Sequence, residues 1–153
     1  MSISLNEWFV FENAVDKKTC NKLKRIGSKK WEPSFVDTSK GTTDEERKKG
    51  KKHDYQPDEK ARISDVAWTN EQWVYDVIWQ YMVQANNEAG WGYDIKAAES
   101  SQITRYKKGG FYYFHRDGTG CHMSKYNNPT NAFFHDNVRK LSMTILLNDN
   151  FEG

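Results

Sequence analysis

Cysteine is scarce in this chain of 153 residues: Cys20 and Cys121 lie far apart and make no disulfide framework. The paired-cysteine spacing of a zinc ribbon is missing. So is any apolar run near the ~20 residues that a membrane-crossing helix needs. Charge of one sign is also in short supply. The 23 Lys and Arg against 21 Asp and Glu leave a formal +2, too little to imply nucleic acid or an anionic membrane as a partner. The opening Met1-Ser2-Ile3-Ser4 does not read as a secretory signal, so a reduced, cytoplasmic setting is expected.

What the chain does have is rings. An aromatic fraction of 14% within a hydrophobic fraction of 37% predicts a core built from rings more than from aliphatic side chains. The length fits a single domain over 1–153 with a modest core. The mean hydropathy of −0.94 is pulled down by one polar stretch between Asp37 and Lys60. Its segment from Gly41 to Lys52 contains no large apolar residue and cannot contribute to a core. Residues 37–60 are therefore expected to form a mobile loop, either a plain surface insertion or a lid over a site.

Elements follow from periodicity. Trp8-Phe9-Val10-Phe11 predicts a first strand. Asp16 reads as the N-cap of a short helix with Cys20, Leu23 and Ile26 on one face, a solvated basic face opposite, and Gly27 as the stop. Thr69 and Gln72 read as a capping box for a longer helix, with Trp73, Val74, Val77, Ile78, Tyr81, Met82 and Ala85 at helical spacing and Gly90 at its end. Strand-like runs come next, at Tyr93 to Ala97, Ser101 to Tyr106, Phe111 to His115 and Lys140 to Leu147. Gly109-Gly110 marks a hairpin turn between the second and third of these. Helices first and strands later predict an α+β arrangement, with helices backing one sheet of a β-sandwich or barrel.

Within this pattern sits Tyr113-Phe114-His115-Arg116-Asp117. Residues two apart on a strand share a face, with side-chain roots roughly 7 Å apart. His115 and Asp117 can therefore converge on one ion while Arg116 points away. One imidazole and one carboxylate supply two corners of the facial triad of non-haem iron(II) oxygenases, leaving open positions for substrate and O₂. Zinc accepts such ligands too, but a catalytic zinc site usually takes three protein ligands and is richer in His.

Several residues in order carry a wider likeness: Arg62-x-Ser64 with Trp68, Ala85-Asn86 with Trp91, Gln102 with Tyr106, His115-x-Asp117, Arg139-Lys140-Leu141-Ser142, and Phe151-Glu152-Gly153. On these the chain, from Arg62 onward, resembles the prolyl 4-hydroxylase-like 2-oxoglutarate/iron(II) dioxygenases, and among them the small microbial and phage-type hydroxylases. The resemblance implies a double-stranded β-helix (jelly-roll) core with supporting N-terminal helices. It implies iron(II), 2-oxoglutarate as cosubstrate, and scope for ascorbate. The implied reaction is O₂-dependent hydroxylation of an unactivated C–H bond, with a peptide or protein, most simply a prolyl side chain, as substrate. His115 and Asp117 match the family's metal ligands, and Tyr106 matches the position that reaches 2-oxoglutarate. By composition alone Tyr106 is equally a ring in the barrel wall. Ser142, Thr144 and Leu146 share one face of the following strand, where they line the cavity or, for Leu146, fill the barrel interior.

The family pattern also calls for a second, distal His and a basic residue that holds the far carboxylate of 2-oxoglutarate, and neither occurs after Asp117 at the family position. His53, His122 and His135 read as loop residues and not as the third ligand, because tight sites depend on ligands held by rigid elements. The expectation is thus a domain incomplete at its C-terminal end, lacking the last strands. The competing expectation is a non-catalytic jelly-roll binding module.

Overall fold

The computed structural model describes residues 7–37, 55–56, 58–115, 117, 125–126 and 133–151. Among them the chain is mixed α+β, with two helices, α1 (Lys17–Ser28) and α2 (Gln72–Glu88), and seven short strands. The strands are β1 (Glu32–Pro33), β2 (Val36–Asp37), β3 (Tyr55–Gln56), β4 (Arg62–Ile63), β5 (Asp65–Thr69), β6 (Ser101–Arg105) and β7 (Phe111–Tyr112). They form a three-stranded sheet in the order β1-β5-β6 and two antiparallel pairs, β2-β3 and β4-β7. No described helix is long and apolar enough to cross a membrane. The chain divides into two compact units, one of residues 1–24, 69–101 and 116–153, the other of 25–68 and 102–115.

In the second unit, β1 runs antiparallel to β5 with Glu32 opposite Val66, and β4 runs antiparallel to β7 with Arg62 opposite Tyr112. Only Ser64 separates β4 from β5, whereas five residues, Tyr106 to Gly110, separate their neighbours β6 and β7. The excess is taken up by a tight turn. Gly109 adopts φ +78°, and the Gly110 amide donates to the Lys107 carbonyl at 2.7 Å. A Cβ on Gly110 would lie 2.9 Å from the Ile63 carbonyl oxygen, so backbone approach excludes a side chain there. The expected Gly-Gly turn is present, but it links strands of two different sheets and closes no hairpin. Asp65 anchors its base: its carboxylate accepts from Arg105 at 2.6 Å and meets Lys107 at 3.0 Å. Hydrogen bonding to Arg105, then to Lys107, holds Asp65 below the usual carboxylate range.

Helix α1 starts as its sequence predicts. The Asp16 carboxylate accepts from the Thr19 backbone amide at 2.8 Å and from its hydroxyl at 2.9 Å. Cys20, Leu23 and Ile26 are buried, while Lys17, Lys18, Lys22, Lys24 and Arg25 are at least partly exposed. Gly27 is not the stop. It lies inside the helix, and a Cβ there would come within 2.5 Å of the Trp31 ring. The glycine makes room for an indole that also lies under the Arg105 guanidinium at 4.5 Å.

In the first unit, α2 holds its C-terminal boundary as expected, with Ala89 as C-cap and Gly90 at φ +73°. The capping box does not form. Glu71 is the N-cap and makes no side-chain cap bond; Thr69 instead accepts from the Glu71 amide at 3.3 Å. Trp8 to Phe11 is not a strand; Phe9 packs on Phe11, and Phe11 on Tyr81 of α2, with ring centroids 4.9 and 5.2 Å apart. The buried amide of Asn86 bonds both backbone groups of Tyr93, donating to its carbonyl and accepting from its amide, each at 2.9 Å. That pairing ties the end of α2 to the segment after it, at a net ~1 kcal/mol per bond.

Neither Tyr93–Ala97 nor Lys140–Leu147 pairs as a strand. The two-residue alternation runs through the second, where Leu141, Met143, Ile145 and Leu147 are half-buried while Ser142, Thr144 and Leu146 are exposed, and in the first only from Asp94 onward. Leu146 therefore faces out, against the expected interior position. The ring-built core is likewise corrected. The buried apolar residues are Cys20, Leu23, Ile26, Val66, Ala67, Val74, Ala85, Ala89 and Ile103, and no described aromatic residue is buried. Small units have too little interior to enclose a whole ring, so the aromatics lie at their margins. Of the expected loop over 37–60, residues 38–54 and 57 lie outside the described residues, and Tyr55–Gln56 pairs with Val36–Asp37 as a strand.

Two outcomes follow. Gly27→Ala gains helix propensity but forces the Trp31 ring to move, and it should lower unfolding stability by about 1–3 kcal/mol, as urea titration would read. Because the folded-state pKa of Asp65 is depressed, its contribution is present above the unfolded value of about 3.9 and is lost as pH falls through the lower folded value. Asp65→Asn should make the acid limb of the stability profile shallower; an unchanged limb would refute the assignment.

Candidate functional site

Arg62 is buried within the second unit, 8% exposed. Its Nε donates to the Ser64 hydroxyl at 2.8 Å, and its Nη2 donates to Gln102 Oε1 at 2.9 Å and Thr104 Oγ1 at 3.3 Å. Three of the residues that carry the sequence resemblance, Arg62, Ser64 and Gln102, are thus joined by direct hydrogen bonds. The partners are neutral, so the guanidinium is compensated by hydrogen bonds and by the Tyr112 ring, which lies 4.4 Å from its Cζ.

The same ring supports His115. The Tyr112 and His115 rings stack with centroids 3.7 Å apart and planes at 20°, an arrangement of the kind that contributes about 0.5–1.5 kcal/mol between aromatic rings. His115 Nδ1 lies 2.9 Å from the Tyr113 carbonyl oxygen. A carbonyl only accepts, so Nδ1 donates, and in the neutral ring the lone pair is on Nε2. The histidine is exposed, which leaves it within reach of solutes.

Asp117 belongs to the first unit, and His115 to the second. Asp117 is exposed and accepts a hydrogen bond from the Ser142 hydroxyl, so the exposed face of the Lys140–Leu147 segment supplies a support for this carboxylate. Tyr106, 49% exposed, follows β6 directly and begins the Tyr106-to-Gly110 excursion. His135 is exposed in the first unit, with Nε2 4.0 Å from an Asp136 carboxylate oxygen. His53 and His122 lie outside the described residues. Among the described residues no group of three or more His, Cys, Asp and Glu side chains gathers around one point. The donor types of the pair still fit iron(II): one imidazole with its lone pair on the ring edge away from a bonded carbonyl, and one hydrogen-bonded carboxylate.

A second cluster in the first unit was not anticipated. Glu99 accepts from the Arg139 guanidinium, at 3.1 Å for Nε, and from the Tyr126 hydroxyl, while its backbone carbonyl accepts from Tyr75 at 3.3 Å. Beside it, Asn70, Tyr75, Ala97, Ala98, Ser100, Phe133 and Phe134 line an open hollow of about 400 Å³. Arg139, one of the residues that carry the sequence resemblance, is the ion-pair partner of Glu99. Nothing in local periodicity announces Glu99, whose role depends on groups 27 and 40 residues away.

No family model matches the chain, and no curated protein or solved structure matches it.

Removing the Arg62 side chain leaves Gln102 and Thr104 short of a buried partner. Arg62→Ala should cost about 2–4 kcal/mol of unfolding free energy and, in near-UV circular dichroism, perturb the Tyr112 environment. A loss below ~0.5 kcal/mol would show that this network is not what holds the unit.

Proposed function

We propose that this chain carries part of the metal site of a 2-oxoglutarate- and O₂-dependent iron(II) hydroxylase, acting on an unactivated C–H bond of a peptide, with a prolyl side chain as the preferred target, on a jelly-roll core in a reducing, cytoplasmic setting. The observation that supports it best is the His115-x-Asp117 pair, whose histidine bonds a carbonyl through Nδ1 and so carries its lone pair on Nε2. Backbone-bonded Nδ1 with the lone pair on Nε2 is the common state of a metal-ligating histidine.

In this reading His115 Nε2 and one Asp117 carboxylate oxygen hold the ion. The Ser142 hydroxyl donates to Asp117 and limits its rotation. The Tyr106 hydroxyl supplies a hydrogen bond to the cosubstrate. When bound, iron(II) with 2-oxoglutarate and O₂ supplies the oxidising power that replaces C–H by C–OH, releasing succinate and CO₂. Ascorbate fits as a reductant that keeps the metal in the iron(II) state. The exposed rings of Tyr113 and Phe114 next to His115 suit contact with an extended peptide.

Anaerobic titration with iron(II), or with cobalt(II) as a redox-inert probe, tests the site. Binding should weaken at least tenfold in His115→Ala and in Asp117→Ala; hydroxylation of a prolyl peptide, read as a 16 Da gain with stoichiometric succinate, requires in addition a distal His and a basic anchor, which the residues after Asp117 do not supply at the family position. Wild-type protein that takes up no metal, or alanine variants that bind it unchanged, would sink the iron reading and leave a non-catalytic binding module.

A further inference from the structure

We propose that Tyr112, backed by Arg62, is a positioning residue for His115, fixing the imidazole in the tautomer and orientation that present the Nε2 lone pair. Its purpose rests on the metal-site reading above; its geometry does not. Three contacts converge. The Arg62 guanidinium lies over the Tyr112 ring, the Tyr112 ring stacks on the His115 ring at 3.7 Å, and His115 Nδ1 bonds the Tyr113 carbonyl.

Each contact removes a different freedom. A hydrogen bond to a carbonyl selects the Nδ1–H tautomer, whereas an unrestrained histidine in water prefers Nε2–H. That bond alone leaves an exposed ring free to swing. Stacking against Tyr112 adds a plane, so rotation about χ2 would break either the stack or the hydrogen bond. Tyr112 in turn is held by pairing of its strand with Arg62, directly opposite, and by the guanidinium, which Ser64, Gln102 and Thr104 fix in place. A tethered plane of this kind improves ligand geometry without touching the ion.

The test begins on the metal-free protein at a pH where the imidazole is neutral. Long-range ¹H–¹⁵N spectra should show His115 mainly as the Nδ1–H tautomer, with cross-relaxation between the Tyr112 and His115 ring protons. Tyr112→Leu should give a tautomer mixture and weaken cobalt(II) binding about tenfold. Tyr112→Phe, which keeps the ring, should retain both properties. A wild-type Nε2–H tautomer, missing ring-to-ring cross-relaxation, or a folded Tyr112→Leu variant indistinguishable from wild type would each overturn the proposal. If Tyr112→Leu does not fold, the wild-type spectrum and Tyr112→Phe decide the matter. If wild type takes up no cobalt(II) yet Tyr112→Leu loses the tautomer, the positioning role stands and the iron reading fails.

Discussion

A single buried guanidinium organises the unit that contains His115. Arg62 is the point at which β4, β6 and β7 meet: its own strand carries it, Gln102 and Thr104 on β6 accept from it, and Tyr112 on β7 lies against it. Desolvating a charge is expensive unless its donors are satisfied. The surrounding chain meets that demand with neutral oxygens and a ring face. One consequence is geometric, since a planar, forked donor group tolerates little displacement of its partners. The aromatic that stacks on His115 inherits that rigidity.

The other unit uses the same device in a neutral form. Asn86 is buried and bonds both backbone groups of Tyr93, so a side-chain amide takes the role that a neighbouring strand would have taken. Glu99 gathers Arg139 and Tyr126 in a third polar node. With few large side chains buried among the described residues of either unit, directional polar contacts carry much of the specification that ring packing would supply in a larger core.

The two ends of the His115-x-Asp117 motif depend on different supports. A stacked ring and a backbone carbonyl orient the histidine; a serine hydroxyl from a segment 25 residues further on restrains the carboxylate. The motif was legible because two ligand-type residues stood two apart in an aromatic run. Ser142 was legible as a member of an alternating face and of the family-like run, but not as the partner of Asp117, because which hydroxyl meets which carboxylate is settled by tertiary structure. Glu99 was not legible at all, as a glutamate between an alanine and a serine carries no periodic signal. The role of Gly27 is hidden from the sequence for a related reason. A glycine near a helix end signals a stop, and only the position of Trp31 shows that it is a space left for an indole.

The sequence by itself determined the mixed α+β character, the start of α1 at Asp16, the end of α2 at Gly90, the Gly109-Gly110 turn and the two-residue alternation after Tyr93 and Lys140. These follow from interactions within a few residues, namely capping bonds, positive φ and side-chain periodicity, and such terms travel with the local chain. Tertiary structure alone decided which alternating segments became paired strands, that the buried core would be aliphatic with the rings at its margin, and that Arg62, Gln102, Tyr112 and His115 would be linked in one array. A strand needs a partner, and a buried charge needs acceptors drawn from distant parts of the chain. Neither requirement leaves a local trace.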